Sequence, residues 1–476
     1  MDLSEVGVGK TLPLIRWAES VIQAKSVDKI LVVCPVSIIA NWQNEIERWS
    51  NLSHCALVGP KARRLKLLNE KADVHLVNYE GLRVMFAELL AAQFKAIIAD
   101  EAHRAKSHAG SYRSPTQAFL LRELAKSATY RKIATGTVIT NNIEDLWSLC
   151  QIIDPRIFRT NFFGFRNRFM VNKNAGKPWM TWPDWQPKPG AVEGIHKLLE
   201  PYAIRFEKRD VLKFLPPVLF QRRNVELSDE QRKAYNDLKK HFVTELESTI
   251  CECGHERDRH GAAGWDDECR GSGCNCLGFV PSGKTEPLAA LQILGRVTKL
   301  LQICSGFVYH EEGKPYHFKS NAKLAELKAV LEEIGNQRVI IWTAFKEEVS
   351  MILSLVGAEQ AMSLTGDTPQ EIRQDIVSFF NNGVFRYLIC HPACAGEGLT
   401  ILAPYAVYFS RGWKLGERLQ SLGRNDRPGM EKICDNVTII DLVSPGTIDE
   451  EVMAALADKK NLLDTINPKS FKDMMR

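Results

Sequence analysis

No apolar run in this chain reaches the roughly 18 residues that a membrane-spanning helix needs, which excludes a helical membrane protein. The first residues lack the charged, apolar and small-residue regions of a secretory signal, so a cytoplasmic setting is expected, or a nuclear one in a eukaryote. Internal repeats and low-complexity tracts are absent too, which excludes a repeat array. A large excess of either charge is lacking: 62 basic and 57 acidic residues leave a net charge of +5 over 476 residues. That permits a phosphate-rich partner without arguing for one, because a basic patch must be local to matter. Cysteine is sparse outside one stretch. Of 12 in all, Cys251, Cys253, Cys269, Cys274 and Cys276 crowd together and the rest are isolated. In a reducing compartment such crowding points to metal rather than disulfides.

What is present describes a globular protein of ample core, with 45% hydrophobic and 25% charged residues. The length suits two large domains or three smaller ones. Short β-rich apolar runs occur at Lys29–Cys34, Val74–Val77, Lys95–Ala99 and Arg131–Ala134. They recur at Arg338–Thr343, Arg386–Cys390, Ala406–Phe409 and Val437–Leu442. Helical periodicity fills the gaps, as at Leu324, Leu327, Val330 and Leu331. Such alternation predicts two separate parallel sheets covered on both faces. The stretch between them differs: tryptophans among prolines, the Leu215-Pro216-Pro217 breaker, then a helix opened by a capping box at Ser228 and Gln231.

The chemistry begins almost at residue one. Ser4-Glu5-Val6-Gly7-Val8-Gly9-Lys10-Thr11 reads as a Walker A loop with serine in place of the first glycine. Gly7 and Gly9 let backbone N–H groups approach phosphates, Lys10 reaches the β and γ phosphates, and Thr11 ligates Mg2+. Residues Gly278–Thr285 satisfy the same pattern, yet no strand precedes them and Pro281 interrupts them, so that match reads as coincidence. Ile97-Ile98-Ala99 delivers Asp100-Glu101-Ala102-His103 at a strand end, where open α/β sheets place their sites. Asp100 is expected to hold magnesium and Glu101 to orient and deprotonate a water. Gln420, Arg424 and Arg427 form a third element. Its arginines, spaced i and i+3, share one face and can both reach a γ-phosphate.

Together these motifs resemble the Swi/Snf-type DEAH-box ATPases of helicase superfamily two, in a phage or bacterial form. Finer residues carry the resemblance further: Pro35 to Trp42 and Glu45, Thr135-Gly136-Thr137, Asp145 to Leu149, and Asp154-Pro155. So do Arg205, Lys208, Asp210, Val211, Gln231, Tyr235, Lys323, Gly366, Arg373, Ala395 to Thr400, and Trp413. Val138, Thr140, Thr400 and Phe206 depart from the family pattern, which puts fine coupling in doubt but leaves the ATPase core intact.

The resemblance implies an α/β fold of two RecA-like lobes with parallel sheets in tandem, plus a small metal-binding insert. Residues 1–160 would form lobe 1, 161–248 an inter-lobe helical segment, 249–286 the cysteine-rich insert and 287–476 lobe 2. It implies ATP and Mg2+, a duplex-DNA partner gripped through phosphates, and translocation driven by lobe closure. An RNA-directed helicase of the same superfamily is the alternative within the class, and a non-hydrolysing nucleic-acid-binding module the alternative outside it. Trp147 with Leu215-Pro216-Pro217 counts against the first, and Glu101 with both arginines against the second.

Basic residues that could touch phosphates are Lys61, Arg63, Arg64 and Lys66, and Arg205, Lys208, Arg209, Arg222 and Arg223 near the lobe junction. At the front, only Met1-Asp2-Leu3 precede the loop, too few for an ordinary strand of about five or six residues. A strand feeding this loop needs neighbours on both sides, so unpaired backbone is expected here, with a chain that is poorly soluble or weakly active and an in-frame upstream extension that restores solubility and activity.

In the insert, Cys251, Cys253, His260, Cys269, Cys274 and Cys276, with His255 nearby, offer more ligands than one tetrahedral zinc takes. A small loop-rich segment of this kind needs metal to fold. Its acidic residues outnumber its arginines, which favours a protein-contact surface over a DNA grip. Metal analysis of the purified protein should therefore find about one structural Zn2+ per chain. Replacing Cys253 or Cys269 should release it while ATP binding persists. Finding no zinc, or losing ATP binding with the metal, would contradict this reading.

Overall fold

The computed structural model describes residues 1–136, 143–175, 185–247, 290–310, 313–395 and 399–466. The candidate zinc ligands and the second Gly-Lys-Thr match lie outside the described residues. Among the described residues, no group of histidine, cysteine, aspartate or glutamate is placed to hold a metal ion. No helix among them is long and apolar enough to cross a membrane.

The first sheet is built from β1 (Ile30–Cys34), β2 (His54–Ala56), β3 (Val74–Asn78), β4 (Ala96–Asp100) and β5 (Tyr130–Ala134). Its five strands run parallel in the order β2-β3-β1-β4-β5. Strands β1, β3 and β4 are buried along their whole length, as continuous apolar runs must be in a sheet covered on both faces. Helices α1 (Thr11–Gln23), α2 (Ile39–Trp49) and α3 (Lys61–Leu68) provide the first crossovers.

The front of the chain supplies the missing strand in shortened form. Asp2 bridges in parallel to Ala134 on one side and to Ile204 on the other. Its N–H donates to Ile133 O at 2.7 Å, and its carbonyl accepts from Thr135 N at 3.0 Å. Leu3 and Glu5 N–H groups donate to Ile204 O and Phe206 O, and Leu3 is fully buried. The expectation of unpaired backbone here is thus corrected: a segment too short for an ordinary strand pairs on both sides, because residues 204–206 come back to meet it.

After β5, two short strands, β6 (Met170–Asn172) and β7 (Trp185–Pro187), form an antiparallel pair. The second sheet then draws on β8 (Val218–Asn224), β11 (Val339–Trp342), β12 (Ala361–Leu364), β13 (Tyr387–Cys390), β14 (Tyr405–Tyr408) and β15 (Val437–Val443). Between them β9 (Phe307–Tyr309) and β10 (Pro315–His317) make a small hairpin. The six strands are parallel in the order β12-β13-β11-β14-β15-β8.

The expected boundary at residue 287 shifts as a result. Residues 218–224, assigned to a helical connector, are the edge strand of the second sheet. Phe165, Ile195 and Leu199 pack instead into the core cluster containing β4 residues of the first sheet. The helix after the breaker begins at Asp229, with the reciprocal capping box as expected: Gln231 N donates to Ser228 Oγ, and Ser228 N to Gln231 Oε1. The C-terminal helix is anchored nearby by the buried ion pair of Lys323 Nζ with Asp449 Oδ2, 2.5 Å apart.

Candidate nucleotide site between the lobes

The loop from Ser4 to Lys10 links the shortened strand to α1. Gly7 and Gly9 have φ of +88° and +90°, a region open to glycine at little cost and to other residues only under strain. The loop thereby turns its backbone toward the N-terminus of α1, whose first residue is Thr11. Lys10 Nζ donates to the carbonyls of Ser4 and Glu5, at 3.0 and 2.9 Å. Its ammonium therefore lies over the loop, where a phosphate chain would be met by dipole and charge together.

Asp100 ends β4 and is buried, and three neighbours fix it. Trp42 Nε1 of α2 donates to Asp100 Oδ2 at 2.9 Å, Glu101 N donates to Oδ1 at 2.9 Å, and the Tyr79 hydroxyl donates to the main-chain carbonyl at 2.9 Å. Burial, and then the neighbouring Glu101 charge, push the Asp100 carboxyl above its ordinary range. Glu101 goes the other way. Burial acts against its charge, but His103 and the charges of Lys10 and Arg424 outweigh that and hold its carboxyl low. Glu101 also sits at φ +48°, a strained position for a side-chain-bearing residue of the kind that clusters at functional sites. His103 Nδ1 lies 3.3 Å from Glu101 Oε2 and 3.3 Å from Thr135 Oγ1, which ties this carboxylate to the end of β5.

The second lobe answers from the helix Leu415–Asn425 and the turn after it. Gln420 and Arg424 are buried. Arg424 Nη1 donates to Leu399 O at 2.8 Å. Arg427 donates from Nε to Gly423 O and from Nη1 to Thr400 Oγ1. Burial pushes the Arg427 guanidinium down to about 10 against the pull of Glu101, so it stays cationic at neutral pH. The sequence-derived candidates Lys10, Asp100, Glu101, Arg424 and Arg427, drawn from both lobes, thus lie within electrostatic reach of one another, and Thr11 follows Lys10 as the first residue of α1. Residues 137–142 and 396–398, which belong to motifs named above, lie outside the described residues.

The seam itself is made by Val6. A Cβ on Gly136 would lie 2.5 Å from Val6 Cγ2, and one on Gly423 would lie 2.9 Å from Val6 Cγ1. One loop side chain thus wedges between a glycine of each lobe. Sequence reasoning missed this wedge, along with the Trp42 and Tyr79 bonds to Asp100. Trp42 had been recognised only as part of a motif, and no local spacing announces a partner across the fold.

The basic groups divide on inspection. Arg63 and Lys66 on α3 are exposed, whereas Lys61 pairs with Glu88 at 2.8 Å and Arg64 bonds Gly59 O and Asn78 Oδ1. Arg222 and Arg223 pair with Glu450 and Glu333. Arg205 and Lys208 are buried, which corrects their reading as surface phosphate contacts, while Arg209 is exposed.

Known proteins resemble this chain over most of its length. A SNF2-related domain matches residues 3–259, and a helicase conserved C-terminal domain matches residues 322–429. The TATA-binding protein-associated factor mot1 of Schizosaccharomyces pombe is 26% identical over 468 residues, which is 92% of this chain and 23% of that protein. The putative protein p41 of Acyrthosiphon pisum secondary endosymbiont phage 1 is 25% identical, over 97% of this chain and 92% of its own length. A solved Sulfolobus solfataricus SWI2/SNF2 ATPase core in complex with dsDNA shares 21% identity at a TM-score of 0.40, covering 97% of this chain and 87% of that one. The chain thus spans about a quarter of the yeast factor.

The wedge makes a sharp expectation. Gly423→Ala should overpack the seam and cost about 1–3 kcal/mol of stability, as small-to-large changes in packed sites do. Adding Val6→Ala should recover part of the loss. Chemical denaturation of the two variants and the double measures this, and an undiminished Gly423→Ala protein would contradict the wedge.

Proposed function

The chain belongs to the SNF2-related family of helicase superfamily two, and from that membership and the site's geometry we propose a DNA-dependent ATPase that translocates on duplex DNA. The observation that supports this most is electrostatic: Glu101 of one lobe interacts with Arg424 and Arg427 of the other. A carboxylate and two guanidinium groups within electrostatic reach of one another, beside a Gly-Lys-Thr loop, form the charge pattern that phosphoryl transfer to water requires.

In this reading the loop N–H groups and Lys10 hold the triphosphate. Gly7 and Gly9 allow the close backbone approach, and Gln420, buried one turn before Arg424 on the same helix, is the further nucleotide-binding candidate. Thr11 and Asp100 offer hard oxygen donors, the chemistry that suits Mg2+. Such an ion would supply charge neutralisation to the bound phosphates. Glu101 orients the attacking water and takes its proton. Its carboxyl is held low and so stays ionised at neutral pH, able to accept a hydrogen bond from the water and aim it, while Arg424 and Arg427 offset charge developing on the γ-phosphoryl oxygens.

Because the arginines belong to lobe 2, hydrolysis requires closure, and release of products allows reopening. DNA enters the proposal through the family and through the exposed Arg63 and Lys66 on α3, which suit sequence-independent phosphate contact. The cysteine set at 251–276 is proposed as a structural zinc site with a protein-contact surface, separate from the ATP chemistry.

Glu101→Gln should bind ATP and lose hydrolysis. Arg427→Ala should lose on the order of 10³ in turnover, the usual worth of an arginine finger. Steady-state phosphate release with nucleotide binding measured alongside gives both values. Near-normal turnover in both variants would sink the assignment.

A further inference from the structure

Lys208 is a long, basic side chain in a segment between the lobes, yet it does not face solvent. Its side chain is 6% exposed. Its Nζ donates to Asp426 Oδ2 at 2.9 Å and to the Asp426 main-chain carbonyl at 2.8 Å. Asp426 lies between Arg424 and Arg427, directly before the latter, so one ammonium grips both the side chain and the backbone of the turn that carries the two arginines. The other end of Lys208 is tied to the P-loop. Its own N–H donates to Glu5 Oε2 at 2.8 Å, and a Cβ on Gly7 would stand 3.3 Å from Lys208 Cε. Sequence separations of about 200 residues on each side show that this is tertiary design, not local chain geometry.

We propose that Lys208 is a positioning residue that sets the arginine-bearing turn against the P-loop, with Asp426 as its counterpart. The inference rests on the ATPase reading above for its catalytic meaning, although the contact itself does not. Burying an ammonium costs free energy that only excellent pairing offsets. Here the pairing is bidentate toward a single residue, with the P-loop carboxylate Glu5 adding a second acidic neighbour.

The consequence is geometric. Among the described residues, Arg427 donates on its own side to the Gly423 carbonyl and the Thr400 hydroxyl, both of them in lobe 2. Beside the apolar Val6 wedge against Gly423, Lys208 is the polar contact that registers that turn to the P-loop. A transition-state group misplaced by about 1 Å loses on the order of 10²-fold in rate. Ground-state nucleotide contacts through Lys10 and the loop N–H groups need no such registration. The pair should therefore affect kcat and leave nucleotide affinity nearly alone.

Lys208→Met and Asp426→Asn, singly and together, test this in the full chain. Asp426 is the more exposed partner, with 25% of its side chain accessible. Asp426→Asn therefore keeps the test open if the lysine variant fails to fold. DNA-stimulated kcat should fall by about 10²-fold in each single variant, the double should be no slower than the worse single, and affinity for a fluorescent ATP analogue should change little. Independently of activity, amide hydrogen exchange at residues 423–430 should quicken in both variants without nucleotide.

Unchanged exchange there would overturn the proposal whether or not the protein hydrolyses ATP. So would lost analogue binding at normal kcat, because that would make Lys208 a phosphate contact. Multiplicative losses in the double variant would overturn it too. If the wild-type chain hydrolyses no ATP while exchange quickens as expected, the positioning contact stands and the ATPase reading falls.

Discussion

A single loop has to touch both lobes at once, and the rest of the molecule is arranged around that constraint. Val6 occupies the gap between Gly136 and Gly423, so any larger residue at either glycine would push the lobes apart. Behind the wedge, the loop's strand is squeezed between β5 and residues 204–206. Its position is thus set by the first sheet and by the connector together. Steric fit of this kind is stiff, because packed interiors resist even one added methyl group. In the proposed mechanism it would let a small relative movement of the lobes translate into a change at the residues of the loop.

Electrostatics then assigns different properties to chemically similar groups. Asp100 and Glu101 are adjacent carboxyls, but burial and its neighbour raise the first while His103, Lys10 and Arg424 hold down the second. Environment separates the two, and a raised carboxyl beside a lowered one is a recurrent way of dividing roles within a site. The basic side chains are divided in the same way. Arg63 and Lys66 face solvent, whereas Lys208 is spent inside the molecule on Asp426.

Much of this was legible in the sequence, for identifiable reasons. All eight strands foreseen are present, because buried parallel strands are written as unbroken apolar runs such as Ile30–Cys34 and Val437–Val443. The strands overlooked carry no such mark. His54–Ala56 is only three residues long, and Val218–Asn224 is a mostly exposed edge strand ending in Gln-Arg-Arg-Asn. The Gly-Lys-Thr loop, the acidic pair and the arginines that make up the proposed site were readable from spacing, since phosphate chemistry constrains residue type. Trp42, Val6 and Lys208 were not, because each works through a partner distant in the chain. Lys208 looked like a surface cation for the same reason: composition reports a charge and says nothing of the carboxylate that meets it.

The central claim is that this shared site is driven by duplex DNA. The most direct measurement is steady-state ATP turnover of the whole chain with duplex DNA, single-stranded DNA or RNA, each at rising salt. Duplex DNA of any sequence should stimulate most, and the stimulation should fall steeply with salt as counterion release requires. Stronger stimulation by RNA, or turnover indifferent to every nucleic acid, would contradict the account.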